Sequence, residues 1–315
     1  FTLTLSQSCA ASPGQPVKAP FVIPVQLGLI SATGDELLAS RLEVLTESRQ
    51  EWVFDNIVSE PVPSLLRGFS APVVLDIADS DAQLLTLLAH DRDAFNRWEA
   101  AQRLGVRAAL KALAAHEVSA QVLPASLIAA LRDVLRHPHL DAAFKELVLT
   151  LPSESYLAEQ MEVVDPQRIH AVREAMRLQL ANELRDDWAW AYEAHSENGA
   201  YRPDAVSSGR RALAGMALGF LCLAAASDND NAWPARALRA FKDAGNMTDR
   251  FNALGALVGA GHPLAAPALE RFHQLFKNEA LVLDKWFALQ AGASDRGGDI
   301  LPKVRQLMLH PDFQV

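Results

Sequence analysis

Asp165-Pro166-Gln167-Arg168-Ile169-His170-Ala171-Val172-Arg173-Glu174-Ala175-Met176 opens the most informative stretch of this chain. Aspartate before proline is a strong helix start. The carboxylate accepts from the first free N–H groups, and proline has none to leave unsatisfied. From there Ile169, Val172, Met176, Leu180, Leu184 and Trp188 recur at helical steps. They predict one face of a helix of roughly thirty residues, about 45 Å long at the α-helical rise. An apolar face of that length has to be covered by other helices.

The neighbouring sequence supplies them. Upstream, Leu127, Ile128, Leu131, Val134 and Leu135 form a second stripe that stops at His137-Pro138. Downstream, helices are expected over 204–226, 233–244, 248–260, 264–278, 280–291 and 299–309, with Gly, Pro and Asn at the breaks. Gly261-His262-Pro263 and Leu309-His310-Pro311 echo each other. Their separation is close to the roughly 40–47-residue period of paired-helix HEAT or armadillo repeats. The expected architecture is an irregular α-superhelix over residues 79–315.

Before Asp79 the periodicity is two. Ile23, Val25, Leu27 and Leu29 alternate onto one strand face, and Thr33-Gly34-Asp35 supplies a turn. Short apolar runs follow at Leu42–Leu45, Trp52–Phe54, Leu65–Phe69 and Val73–Ile77. Pro20, Pro24, Pro61, Pro63 and Pro72 punctuate them, as suits strand ends, edges and loops. Residues 1–78 therefore read as an antiparallel β-sandwich. Asp79-Ser80-Asp81 is the start signal of the first helix. The fold class is mainly α with a smaller all-β domain.

Composition narrows the function. The 315 residues are half hydrophobic and carry a formal net charge of −9. That is ordinary for a globular chain with a sizeable core, and it argues against nucleic acid as a partner. Two cysteines, Cys9 and Cys222, are too few and too far apart for a disulfide framework, which suits a reducing, cytoplasmic compartment. Phe1-Thr2-Leu3-Thr4-Leu5 alternates like a strand and has no signal-peptide character, as expected of a segment from a longer polypeptide. The longest apolar run, Ala212 to Ala226, reads as a core helix and not a membrane span.

Catalytic motifs are conspicuous by their absence. A His-Glu-x-x-His zinc site would place two imidazoles on one helix face with a glutamate to polarise the metal-bound water. Here His116-Glu117 is followed by Ala120 at the second ligand position. His137 and His139 flank a proline with no acidic or thiolate ligand beside them, and read as solvent-exposed imidazoles at a helix end. Asp228 and Asp230 resemble the start of a calcium loop, but Trp233 takes the place of its glycine, so they read as a polar turn. There is no Gly-x-Ser-x-Gly elbow, P-loop or dinucleotide fingerprint. Adjacent Asp186 and Asp187 point in different directions on a helix and read as a solvated face. Gly215 with Gly219 and Gly255 with Gly259 read as places where helices approach closely. Asn246-Met247-Thr248 reads as a helix cap and not a glycosylation sequon, and Phe95 with Trp98 as core. Trp286 and Phe287 are adjacent, so one of them is expected to reach a neighbouring helix or domain, with Trp286 a packing residue.

Several strings resemble the bacterial aminopeptidase N family of gluzincin zinc aminopeptidases. They are Val53-Phe54-Asp55-Asn56, Pro61-Val62-Pro63-Ser64-Leu65-Leu66-Arg67-Gly68-Phe69-Ser70-Ala71-Pro72, Phe95-Asn96-Arg97-Trp98-Glu99-Ala100, Asn246-Met247-Thr248-Asp249 and Leu283-Asp284-Lys285-Trp286-Phe287. They occur in family order along nearly the whole chain.

The resemblance implies that this is the third domain, a β-sandwich, followed by most of the fourth, helical domain. The metal ligands and the Gly-x-Met-Glu-Asn motif would then lie before Phe1. It therefore implies no catalytic, cofactor-binding or metal-ligating residue in this chain. Zinc would be held elsewhere in a monomeric parent, whose metal-bound hydroxide attacks the first peptide bond. The partners implied are the catalytic domain of the same polypeptide and peptide substrates, with no nucleic acid and no membrane. The helical domain would cover the active-site cavity and limit access. The alternative reading is an independent helical-repeat scaffold that binds protein partners.

Overall fold

The computed structural model describes residues 1–197, 199–295 and 299–313. Its strands are β1 (Thr2–Ser6), β2 (Ile23–Ile30), β3 (Glu36–Leu45), β4 (Arg49–Val53) and β5 (Val62–Ser64). They make two antiparallel sheets, β1-β4 and β3-β2-β5. The alternation in β2 is realised: Val25, Leu27 and Leu29 are buried and share one core with Leu3, Leu45, Phe54 and Leu65. Pro24 lies inside β2, the central strand of its sheet. The pairing with β5 begins only at Gly28, so at Pro24 the strand has one neighbour and the missing N–H breaks no ladder.

Two of the expected strand runs are not strands. Leu65–Phe69 turns through a 3-10 helix at Arg67–Phe69. Val73–Ile77 belongs to no strand among the described residues, and Val74 is 98% exposed. An apolar β-branched run becomes a strand only where a neighbour supplies the ladder.

The helices are α1 (Asp81–His90), α2 (Ala94–Ala114), α3 (Ala125–Arg136), α4 (Ala142–Leu149), α5 (Glu154–Glu159), α6 (Pro166–Glu183) and α7 (Arg185–His195). After them come α8 (Ala205–Asp228), α9 (Ala232–Asp243), α10 (Met247–Gly259), α11 (Ala265–Phe276), α12 (Ala280–Ala291) and α13 (Ile300–Met308). The expected thirty-residue helix is thus two, divided at Leu184 (φ −111°, ψ 22°). The indole N–H of Trp188 donates to the Leu180 carbonyl, which the Leu184 N–H also uses, and this insertion into the ladder accompanies the kink. All six residues of the predicted face, Ile169 to Trp188, are nonetheless buried.

Helix α8 joins two cores. Leu213, Ala217 and Leu221 belong to the one built from α1–α8, while Leu218 and Cys222 belong to the one that continues through α12. It has the length and apolarity of a membrane span, but more than half of its apolar window is buried inside the protein. Burial pushes the Cys222 thiol up to about 12. Of the four paired glycines, Gly215 alone sits where a side chain would collide, against Asn252 of α10. Gly219 and Gly259 face open space, and Gly255 has only Leu289 near van der Waals distance.

Three turns that follow helices use one device. In His137-Pro138-His139, His262-Pro263-Leu264 and His310-Pro311-Asp312, the histidine Nδ1 accepts the N–H of the residue two positions on, at 3.1–3.2 Å. Asp and Asn side chains make the same kind of turn.

Candidate functional site: the domain junction and the helical cleft

The strings Pro61–Pro72 and Phe95–Ala100 meet at the junction between sandwich and helices. After β5 the chain turns through three left-handed residues, Leu66, Gly68 and Phe69 (φ 57°, 63° and 55°). Left-handed backbone is costly for leucine and phenylalanine, so surrounding contacts must hold it. They do. The turn presents Arg67, which is 6% exposed. Its Nε donates to Ser64 Oγ at 2.7 Å and its Nη2 to Asp91 Oδ1 at 3.2 Å, while Nη1 lies 3.7 Å from Glu36 Oε1. Gly28 of β2 is required here, because a Cβ would overlap the guanidinium.

Asp93 caps α2 through the Asn96 N–H and accepts the Gly68 N–H with its other oxygen. The Asn96 amide donates to Ser64 Oγ and to the Leu65 carbonyl. Arg103 closes the far side on Asp79 and the Ile77 carbonyl. Phe69 lies on Phe95 with ring centroids 4.0 Å apart, and Phe95 lies 5.4 Å from Trp98. Phe95 and Trp98 are half-buried and not full core: they form the aromatic side of this junction.

A cleft of about 670 Å³ opens between α7, α8, α9 and α10. Tyr192, His195, Arg211, Arg239, Asn246 and Asp249 are among its lining residues. Asn246 caps α10, as its sequence context predicts, by accepting the Asp249 N–H. Arg211 is held by the Arg202 carbonyl at 2.8 Å, by the face of Tyr201 and by Glu197. The Arg236 guanidinium stacks on Tyr192 and Trp233.

The other singled-out residues fall elsewhere. His116 and Glu117 are exposed beyond the end of α2. The residues of this chain at that place do not fit a His-Glu-x-x-His zinc centre. Asp230 accepts the Ala232 N–H in the turn after α8, and Asp228 pairs with Arg185. Asp186 is exposed, but Asp187 is not a solvated face: Arg132 and Arg136 clamp it at 3.0 and 2.7 Å. Trp286 and Phe287 are both buried.

The imidazole of His195 is held below its ordinary value by burial, against the opposing effect of its bond to the Ala191 carbonyl, with Lys145 and Arg210 adding to the lowering. Burial lowers His137 likewise, helped by Arg97, His139 and Lys145. At both sites the folded chain binds fewer protons than the unfolded one. Stability is therefore complete above the unfolded histidine value near ~6.5 and falls as pH drops toward the depressed values. Thermal melts should show a falling transition between about pH 7 and pH 5. His195→Gln should make that slope shallower, and an unchanged slope would contradict the assignment.

Residues 81–315 match the family described as domain of unknown function (DUF3458_C) ARM repeats, and residues 1–78 match domain of unknown function (DUF3458) Ig-like fold. The chain belongs to the DUF3458_C family. It is 35% identical to aminopeptidase N of Escherichia coli over 99% of its own length and 36% of that protein. It is 40% identical to aminopeptidase N of Caulobacter vibrioides over 91% of this chain and 32% of that one. A crystal structure of Legionella pneumophila aminopeptidase A in complex with aspartic acid superimposes with a TM-score of 0.81 at 27% identity, covering 99% of this chain and 36% of that one. The DUF3458_C chain thus spans about a third of the length of the curated relatives it matches. These homologues support the expected kinship with aminopeptidase N, and the fold class agrees with an Ig-like sheet domain followed by ARM-type helices.

Proposed function

We propose that this chain is the non-catalytic C-terminal part of a zinc aminopeptidase, and that its helices cover the active-site cavity and limit which peptides enter. The observation that carries this reading is coverage. Nearly every residue here has a counterpart in aminopeptidase N of Escherichia coli, yet about two thirds of that relative has none here. Zinc chemistry then belongs to the part of the parent outside this chain.

The junction supports a supporting and positioning role. A buried arginine, the Asp93 cap and an aromatic stack tie the helices to the sandwich, so the two would move as one piece against a catalytic domain. The mixed-charge cleft on α7–α10 offers a surface suited to peptide backbone and termini.

The test uses the full-length parent with the residues matching 79–315 deleted, assayed on a dipeptide and on a peptide of about twenty residues. Removing a cover exposes apolar surface on the catalytic domain, so the deletion variant should be poorly soluble, with a weakened preference for the short substrate in whatever remains soluble. Adding this chain back should restore both properties. A soluble deletion variant with the parent's rates on both substrates would refute the covering role.

A further inference from the structure

The last described helix, α13, has no buried residue, yet the turn that follows it is well anchored. His310 of that turn lies edge-on to Trp286 and Phe287 of α12, with ring centroids 5.4 and 5.5 Å away. Phe313 packs on Phe287 at 5.3 Å. Asp312 Oδ2 reaches across to His273 Nε2 of α11 at 2.7 Å, and His310 Nδ1 stands 3.9 Å from the same oxygen. The two imidazoles are themselves edge to face at 5.1 Å. One ligand atom from each of His273, His310 and Asp312 lies within 4.8 Å of the other two.

The geometry points to a divalent-metal site of the zinc class at His273, His310 and Asp312, which staples the turn after α13 to α11. Two imidazoles and a carboxylate are a donor set that zinc, cobalt and nickel accept and that magnesium and calcium do not favour. Tetrahedral zinc with Zn–N and Zn–O bonds of about 2.0–2.1 Å requires ligand atoms about 3.3 Å apart. His273 and Asp312 are closer than that, in direct hydrogen bond, and the full cluster is wider, so an ion would part the first pair slightly and draw the third ligand in. His310 Nδ1 takes the Asp312 N–H on its lone pair, so this ring carries its proton on Nε2, and coordination would exchange that backbone bond for one from Nδ1 to the metal. The aromatic wall of Trp286 and Phe287 covers one side of the site. Asp312 is exposed and leaves the other open for water as a fourth ligand.

Sequence alone gave no sign of the site: His273 is far from the other two along the chain.

Zinc titration of the tag-free, metal-stripped 315-residue chain by calorimetry tests the assignment. One site with a dissociation constant at or below about 10 µM is expected, together with a rise of a few degrees in melting temperature at saturating zinc. Magnesium should produce neither effect. Asp312→Asn alters an exposed side chain and should fold, so it isolates the ligand role. It should weaken binding at least about tenfold and abolish the thermal shift, and His273→Gln should do the same. Binding no tighter than about 1 mM would overturn the proposal. So would micromolar binding that both variants retain, which would place the ion elsewhere on the surface as an adventitious one.

Discussion

Arg67→Met is expected to destabilise the chain by about 3–5 kcal/mol, the usual cost of removing one partner from a buried ion pair. The loss comes from what remains. Asp91 has no exposed side-chain surface, and its Oδ2 has no hydrogen-bond partner even with Arg67 in place. Without the guanidinium, its charge keeps the Asp93 N–H on Oδ1 and a longer-range attraction to Arg97. Ser64 Oγ loses a donor as well, although Asn96 still reaches it. Arg67→Met combined with Asp91→Leu should recover much of the loss, since an apolar pair of similar volume carries no stranded charge. Denaturant melts of the two variants measure this. A single variant as stable as the parent, or a double variant no better than the single, would show that Arg67 is not the tie between the domains.

Trp286→Ala should cost a comparable amount, about 3–5 kcal/mol, for a different reason. The ring is 7% exposed and packs against His273, Phe287 and His310 at centroid distances of 4.9 to 5.4 Å. Its indole N–H donates to the Leu269 carbonyl at 2.9 Å, so α11 and α12 are joined by one side chain. Truncation leaves a cavity and removes the side-chain bond between the two helices. Trp286→Phe should restore most of the packing without the indole bond to α11, placing its melting temperature between parent and alanine variant. A melting temperature for Trp286→Ala within about 1 °C of the parent would mean the ring is no anchor.

Periodicity made the helical layer legible because burial there is local in sequence. The faces Ile169–Trp188 and Leu127–Leu135 are buried as their spacing demands. What periodicity could not reveal is the kink at Leu184, where the apolar pattern runs on unbroken while an indole eight residues beyond Leu180 competes for its carbonyl. Val73–Ile77 has strand composition and lacks only a partner, which no single run can announce. The junction was visible solely as two strings resembling a family. Its chemistry joins Glu36, Ser64, Arg67, Asp91 and Asn96, residues spread over both domains, and a guanidinium's counter-ion is not written beside it. The clamp on Asp187 was missed for the same reason, since Arg132 and Arg136 come from α3.

The small sandwich lends two of its own residues, Ile30 and Val62, to the core that holds Leu84 and Leu88 of α1. On a ribosome this dictates an order of events. The sheets emerge first, with Arg67 in the open and a backbone turn that nothing yet holds left-handed. Asp91 and Asn96 follow only after another two to three dozen residues, about 1–6 s at ordinary translation rates. Until then the nascent strands have an incomplete interior and unpaired edges, the state most prone to sticking to neighbouring chains. Translation through α1 and the start of α2 is therefore the moment at which the sandwich ceases to need protection, and a pause placed just before it would lengthen the exposure.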